Sequence, residues 1–385
     1  MARRSEAPSP TGLRAELEAR REAMVADLRD FVSIESPSLD AARLTESARW
    51  LAACMERVLG RPARVVESPR GPHVHWKGSD DTRVLIVGHH DTVFPAGTLA
   101  QRPFTLEGDV ARGPGVFDMK AGIIQALHGL ARVPEWYHAE ILITADEEVG
   151  SEASRALLEE RARATGAVLV LEPSADGGAL KVARKGTGTY RVHVGGRAAH
   201  AGLEPEKGVN ALVEMSAQVG AIAAIGRPEA GTTVTPTVAR AGTADNVVPE
   251  SAEIAVDVRC TAPEERERIE RAMQGLRPTL AGATLRIEGG MNRPPLPESA
   301  TRELYALARD VARELGMGEL DGVAVGGGSD GNLTAAVGVR TLDGLGAVGG
   351  GAHAVTEHVR VDRMAERAAL VAGLTRAIVN ARARS

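Results

Sequence analysis

The chain has 385 residues, 43% of them hydrophobic, with a formal net charge of −5 and aromatic residues at only 3%. That length favours two domains over one and that apolar share fills a full core, while the mixed charge and scarce aromatics argue against nucleic acid or an anionic membrane as partner. The two cysteines, Cys54 and Cys260, stand far apart without a CxxC pair, so neither a disulfide framework nor a thiolate zinc site organises the fold.

No apolar run reaches the ~20 residues of a membrane helix. The opening MARRSEAPSPTG carries charge with no apolar stretch behind it, so a secretory signal is not expected and the cytoplasm is the default location. Residues 1–10 read as a loose tail. From Thr11 the apolar positions Leu13, Leu17, Met24, Val25, Leu28, Phe31 and Val32 fall at helical spacing and predict one charged surface helix, stopped by Pro37. A second helix is expected over about 41–59.

Residues 62–87 carry turn signals between short alternating runs and read as strands. The last of them, VLIVGHHD at 84–91, is a continuous apolar run, as a buried parallel strand requires, and it ends in His89, His90 and Asp91. A Gly- and Pro-rich loop leads to Asp118 at the start of a helix running from Met119 to about 133. AEILITA (139–145) is another apolar strand, ending in Asp146, Glu147 and Glu148. A helix over about 151–164 leads to AVLVL (167–171), which ends in Glu172. Strands alternating with helices predict an α/β domain on a largely parallel sheet, and sites in such sheets form beyond the strands' carboxyl ends.

The texture changes near residue 186. A half-exposed strand, a helix (208–224), two strands (near 232–240 and 252–259), a helix (263–275) and a strand (281–288) spell βαββαβ, the ferredoxin-like unit. Residues 186–290 therefore read as an α+β domain inserted between 1–185 and 291–385. The returning chain holds a helix (299–315), a Gly-rich loop at 326–330, a strand near 337–342, the run Gly349-Gly350-Gly351-Ala352-His353 and a closing helix over about 361–382.

Collected at strand ends and glycine loops are His89, Asp91, Asp118, Glu147, Glu148, Glu172 and His353. Each has a plainer reading alone: Asp118 as a helix cap, Glu147-Glu148 as a solvated turn, His89 as a structural histidine. Together they form a carboxylate–imidazole set without thiolates, which suits zinc, manganese or cobalt, with enough donors for two ions sharing one carboxylate. Paired ions ~3.5–4 Å apart are a common hydrolytic device.

The segments GHHDTVF (88–94), GPGVFDMKAG (113–122), TADEEVGS (144–151), LEP (171–173), AAHAGLEPEKGVNAL (198–212), DNVVPE (245–250), VDVR (256–259), GGGSDGN (326–332) and GGGAHAVTEHV (349–359) resemble the M20 family of metallopeptidases, in the group of glutamate carboxypeptidases, acetylornithine deacetylases and succinyl-diaminopimelate desuccinylases. The resemblance implies a zinc-peptidase-like catalytic domain with a lid and dimerisation domain, and two divalent ions, zinc first. It implies that His89 and Glu172 bind one ion, Glu148 and His353 the other, and that Asp118 bridges them. Asp91 would orient His89, and Glu147 would be the general base. His200 would stabilise the oxyanion, often across a dimer. Asn246 and Arg259 would contact substrate, with the guanidinium fork suited to a carboxylate. Gly328 and Ser329 could offer backbone N–H groups or a hydroxyl. His90, pointing to the other face of the strand, is read as a bystander.

The expected activity is release of a C-terminal amino acid from a peptidyl or N-acyl substrate, as a carboxypeptidase, possibly of the glutamate type through Lys181, Arg184 and Lys185. The expected state is a homodimer through the inserted domain. A deacylase of N-acetyl or N-succinyl amino acids is the alternative within the enzyme class. A non-catalytic binding protein that kept the fold is the alternative outside it, and the complete donor set with Glu147 weighs against that reading.

Overall fold

The computed structural model describes residues 9–382. All but the last two residues of the expected tail lie outside them. By its internal contacts the chain divides into two compact units: the described residues of Met1–Ala183, Glu298–Ala324 and Ser329–Ser385, and those of Arg184–Pro297 with Val325–Gly328.

The first unit is organised on a six-stranded sheet. Its strands, in chain order, are β1 (Arg64–Val66), β2 (His73–Lys77), β3 (Val84–His89), β4 (Ala139–Thr144), β5 (Ala167–Val170) and β6 (Arg340–Leu342), and their spatial order is β1-β2-β4-β3-β5-β6. The last four run parallel, while β2 pairs antiparallel with β4 and β1 antiparallel with β2. The largely parallel sheet expected from the βα alternation is therefore present. Val84 to Val87 are fully buried, as a central strand covered on both faces must be.

The helices on this sheet are set by small residues. Helix Ala121–Leu130 lies along the C-terminal helix Met364–Arg382, and a Cβ at Gly129 would come 2.3 Å from the Ala368 carbonyl oxygen. Ala365, Ala368, Ala369 and Ala372 are buried on the facing side, so the two backbones approach closely. The N-terminal segment departs from the single helix expected. It folds as two, Pro10–Glu18 and Arg21–Val32. The first begins earlier than Thr11 because the Ser9 hydroxyl accepts the Gly12 N–H and Pro10 suits the first turn. It ends where Arg20 N–H turns tightly back to the Leu17 carbonyl. Helix Asp330–Ala336 follows the Gly-rich loop expected at 326–330, in a stretch for which no helix was expected.

The second unit has the strand–helix order βαββαβ. Its strands Gly186–Gly195, Thr233–Ala241, Ser251–Cys260 and Thr284–Arg293 form an antiparallel sheet in which Gly186–Gly195 lies between Ser251–Cys260 and Thr284–Arg293, and Thr233–Ala241 is an edge. Alternate residues Ala252, Ile254, Val256, Val258 and Cys260 are buried with Tyr190, Val192 and Val194. Helices Ala211–Ala223 and Pro263–Gln274 supply Met215, Ile222, Ile269 and Met273 to the same core. This is the pattern of a sheet with one buried and one exposed face.

The sheet of the first unit carries a buried charge away from the strand ends. Glu140 on β4 is fully buried and accepts from Arg161 Nε at 2.5 Å and Nη2 at 2.9 Å, Thr82 Oγ1 at 2.9 Å and His75 Nε2 at 2.6 Å. Burial opposes its charge, but these hydrogen bonds and the Arg161 charge bring its pKa from 4.5 down to about 2. A carboxylate depressed in the folded state stabilises above its unfolded pKa and loses that contribution as pH falls toward the folded value. Glu140→Gln is therefore expected to cost about 3 kcal/mol at pH 7, and urea melts of both proteins should converge as pH drops below about 4.5.

Candidate metal centre

The parallel register brings three strand ends to one edge of the sheet: His89 pairs with Thr144 across β3 and β4, and Val87 with Val170 across β3 and β5. His89 closes β3, Glu147 and Glu148 form a tight turn after β4, and Glu172 follows β5. Asp118 comes from an irregular turn, Val116–Lys120, that leads into helix Ala121–Leu130; its peptide bond to Met119 is cis. Gly115 permits that turn. It holds φ 70°, and a Cβ there would lie 2.6 Å from Thr92 Cγ2. His353 sits in the loop after strand Gly349–Gly350 with φ 63°, an uncommon backbone region for a residue other than glycine.

These elements converge on Asp118. Its Oδ1 lies 3.2 Å from His89 Nε2 and its Oδ2 3.3 Å from His353 Nε2. Glu172 Oε1 stands 3.6 Å from His89 Nε2, and Glu148 Oε1 stands 3.1 Å from His353 Nε2. Each imidazole thus faces one oxygen of Asp118 and one further carboxylate. Candidate donor atoms of His89, Glu147 and Glu172 also lie within 4.8 Å of one another, as do those of His89, Asp118 and Glu148. His89 and Glu147 are nearly inaccessible, whereas half of the His353 side chain is exposed.

Asp91 was expected to orient His89 through its carboxylate; it meets the ring chiefly through its backbone. The nearest partner of His89 Nδ1 is the Asp91 backbone carbonyl at 2.9 Å, with the carboxylate oxygen farther off at 3.5 Å. A carbonyl only accepts, so Nδ1 carries a proton, and Nε2 is the nitrogen that faces Asp118 and Glu172. The Asp91 carboxylate accepts from the backbone N–H groups of Glu147 and Glu148, each at 3.2 Å, and from Ser38 Oγ at 2.8 Å. It therefore fixes the turn that carries both glutamates. His90 points the other way, buried, with Ser47 Oγ at 3.0 Å and the Pro72 carbonyl at 2.9 Å, and burial pushes its pKa down to about 4.

Electrostatics describe a site that calls for positive charge. Burial disfavours a charged His89, yet Asp118, Asp91 and Glu172 hold its pKa well above the ordinary value. Hydrogen bonds to Asp118 and Glu148 push His353 up to about 10. Burial works to raise Asp118, but both imidazoles pull it well below the carboxylate range. Burial and the neighbouring Asp118 charge raise Glu148, against the pull of His353 and His89. Among the described residues every ion pair of Asp118 and Glu148 is to a histidine, with no lysine or arginine. Two imidazole nitrogens, a carboxylate with its oxygens split between them and a further carboxylate beside each form a donor set that fits two divalent cations.

The remaining candidates fall in both units. His200, Asn246, Arg259 and Gly328 belong to the second unit. His200 is exposed, and its Nδ1 accepts from the N–H groups of Gly202 and Leu203 at 3.1 and 3.2 Å, which leaves the proton on Nε2. Asn246 is exposed, and its backbone carbonyl accepts the Ala201 N–H. The Arg259 fork is already engaged by both Asp257 oxygens at 2.9 and 2.8 Å. Gly328 lies against Thr187 and Arg293, and its carbonyl and that of Gly327 accept from Arg184. Ser329 is fully buried in the first unit. Its hydroxyl donates to Asp343 Oδ2 at 2.5 Å and accepts the Gly331 N–H, so it is spent on capping helix Asp330–Ala336.

The sequence reading passed over Glu357 and Lys120. Glu357 accepts three backbone N–H groups from residues 115–118, and burial together with the nearby Asp118 charge lifts its pKa to about 7 against those bonds. Lys120, buried beneath the same turn, donates to the carbonyls of Phe31 and Ile34, and burial lowers its pKa to about 7. The one available signal for Glu357 was its place four residues beyond His353, entering a strand (His358–Arg360) that pairs with Val110–Arg112.

Paired imidazoles around a shared carboxylate are the kind of centre used in hydrolysis with two metal ions. The comparison with known proteins agrees: the model of peptidase family M20/M25/M40 matches residues 85–377. The chain belongs to this family and is a metallopeptidase of the M20 type. Carboxypeptidase G2 of Pseudomonas sp. (strain RS-16) is 30% identical over 370 residues, covering 91% of this chain and 88% of that protein. The solved structure of the M20 family metallo-carboxypeptidase Sso-CP2 from Sulfolobus solfataricus matches with a TM-score of 0.75 at 16% identity, over 92% of this chain and 99% of that one. The YXEP protein of Bacillus subtilis, described as a dinuclear metal-binding peptidase from family M20, matches with a TM-score of 0.62 at 17% identity, over 94% of this chain and 99% of that one. At those identities the two structures speak for the fold.

Removing the Asp91 carboxylate leaves the buried N–H groups of Glu147 and Glu148 without their acceptor. Asp91→Ala is expected to lower the stability of the metal-free protein by about 2 kcal/mol or more, read as a shift in urea midpoint at unchanged slope.

Proposed function

We propose that the protein is a carboxypeptidase that hydrolyses an amide bond to release a C-terminal amino acid from a peptidyl or N-acyl substrate, using two divalent ions, zinc by preference and cobalt or manganese as substitutes. The observation that carries this reading is the division of the Asp118 oxygens between His89 with Glu172 and His353 with Glu148. The likeness to carboxypeptidase G2 supports the carboxypeptidase type.

When bound, the ions would polarise the scissile carbonyl and lower the pKa of an attacking water toward ~7. His89 and Glu172 would hold one ion, His353 and Glu148 the other, with Asp118 shared. Glu147 takes the proton from the attacking water on its carboxylate and returns it to the leaving nitrogen. Its N–H bond to Asp91 fixes where that carboxylate starts from. His200 offers Nε2–H to the oxygen that gains charge, a role suited to its tautomer and exposure. A substrate carboxylate read by Arg259 would replace Asp257 on the same fork, an exchange of one carboxylate for another.

The second unit is proposed as the lid and the homodimer surface. Its edge strand Thr233–Ala241 is largely exposed, and Leu212 and Val213 on the neighbouring helix are exposed apolar residues. No helix among the described residues is long and apolar enough to cross a membrane. Both thiols are free and buried, and a cytoplasmic location is proposed.

Glu147→Gln should retain bound metal, measured by elemental analysis, while hydrolysis falls by about 10²–10⁴-fold. Turnover at the parental rate would remove Glu147 as the base. A screen of N-acyl amino acids and dipeptides with zinc, manganese or cobalt decides the substrate class: release from glutamate conjugates supports the carboxypeptidase, and cleavage confined to acetylornithine-type compounds supports a deacylase. Heterodimers of His200→Ala and Glu147→Gln subunits should recover part of the activity, because one active site then keeps both groups. Absence of rescue in verified heterodimers would place His200 in the site of its own subunit.

A further inference from the structure

Asp118 must hold its two oxygens toward two different imidazoles, so its backbone has to be fixed more tightly than that of an ordinary loop residue. Its own conformation does not do this. Asp118 has φ −111° and ψ 92°, outside the helical region, and the N–H groups of the turn precede the ladder of helix Ala121–Leu130. Such N–H groups need an acceptor from elsewhere.

One carboxylate supplies it. Glu357 Oε1 accepts from the N–H groups of Phe117 and Asp118, both at 2.9 Å, and Oε2 accepts from Gly115 at 3.0 Å. Glu357 is 2% exposed, so water does not compete for these bonds. A carboxylate has enough lone pairs for three donors, and it also complements the positive end of the helix that follows. The turn is anchored on its other side by Lys120, whose Nζ binds the Phe31 and Ile34 carbonyls and lies 5.0 Å from the centre of the Phe31 ring.

We propose that Glu357 is a positioning residue for the metal centre: by gathering the N–H groups of residues 115, 117 and 118 it sets the direction of the Asp118 carboxylate, and through it the affinity of both ion sites. The inference rests on the two-ion reading above. Groups that orient ligands from behind typically contribute 10- to 100-fold in metal affinity. Glutamine is an informative substitute. Its carbonyl oxygen can still accept from Phe117 and Asp118, but its amide then points N–H at the Gly115 N–H.

The test titrates chelator-stripped wild type, E357Q and E357A with zinc alone against a competing chromophoric chelator, and in parallel records urea melts of the metal-free proteins. Wild type should take up two equivalents. E357Q should fold, and both of its sites should weaken by about 10- to 100-fold, with E357A weaker still. Two equivalents at wild-type affinity in both variants would overturn the proposal. So would a lower melting midpoint with unchanged zinc affinity, since that marks a purely structural role. If E357A does not fold, E357Q decides. A wild-type protein that binds no zinc, and no manganese or cobalt when the same titration is repeated with each, would defeat the two-ion reading itself, and this inference would fall with it.

Discussion

Negative charge packed into a protein interior is the constraint that governs this structure. Asp91, Asp118, Glu147, Glu148 and Glu172 crowd the carboxyl ends of three parallel strands, with little or no access to water. Burying an ionised carboxylate without compensation costs many kcal/mol. The fold answers with two imidazoles, a serine hydroxyl and backbone N–H groups. The result is a pocket whose carboxylates stay close together because His89 and His353 stand between them.

The contrast with buried acids elsewhere in the same unit is informative. Asp27 is matched by His128 at 2.7 Å and Arg57 at 2.6 Å, and Glu140 by Arg161, His75 and Thr82. Those acids include guanidinium partners and are structural. Among the described residues, Asp118 and Glu148 form ion pairs only with histidines, whose charge can be given up to a metal. The same chemical type thus serves two purposes, and the difference lies in whether its partner is a permanent cation.

The parts of the fold legible in the sequence were those where burial leaves a continuous pattern. The runs at 84–87, 139–144 and 167–170 are fully buried strands, and they read as such because their positions are apolar throughout apart from Glu140 and Thr144. The break after Glu18 was not legible, because the apolar spacing runs on through it while a tight backbone turn ends the helix. Helix Asp330–Ala336 was hidden by the glycines before it; its start depends on a buried serine cap whose partner, Asp343, lies beyond the helix. The residues at the strand ends stood out by type. Glu357 did not, since its partners are backbone N–H groups that carry no side-chain signature. The engagement of Arg259 by Asp257, two residues away on one strand face, is a local pair that a motif comparison passes over.

The order of the donors along the chain has its own consequence. His89, Asp118, Glu148 and Glu172 all come before the second unit begins at Arg184, whereas His353 follows it and meets Glu148 across 205 positions. A chain made from its N-terminus holds every donor of the half around His89 before the second unit has been synthesised, although Glu357, which fixes the Asp118 turn, comes after it. The half around His353 closes only after that unit and the returning strand β6 have emerged. Until then Glu148 lacks the imidazole that faces it, so assembly of the centre reports that nearly the whole chain has been made and folded back.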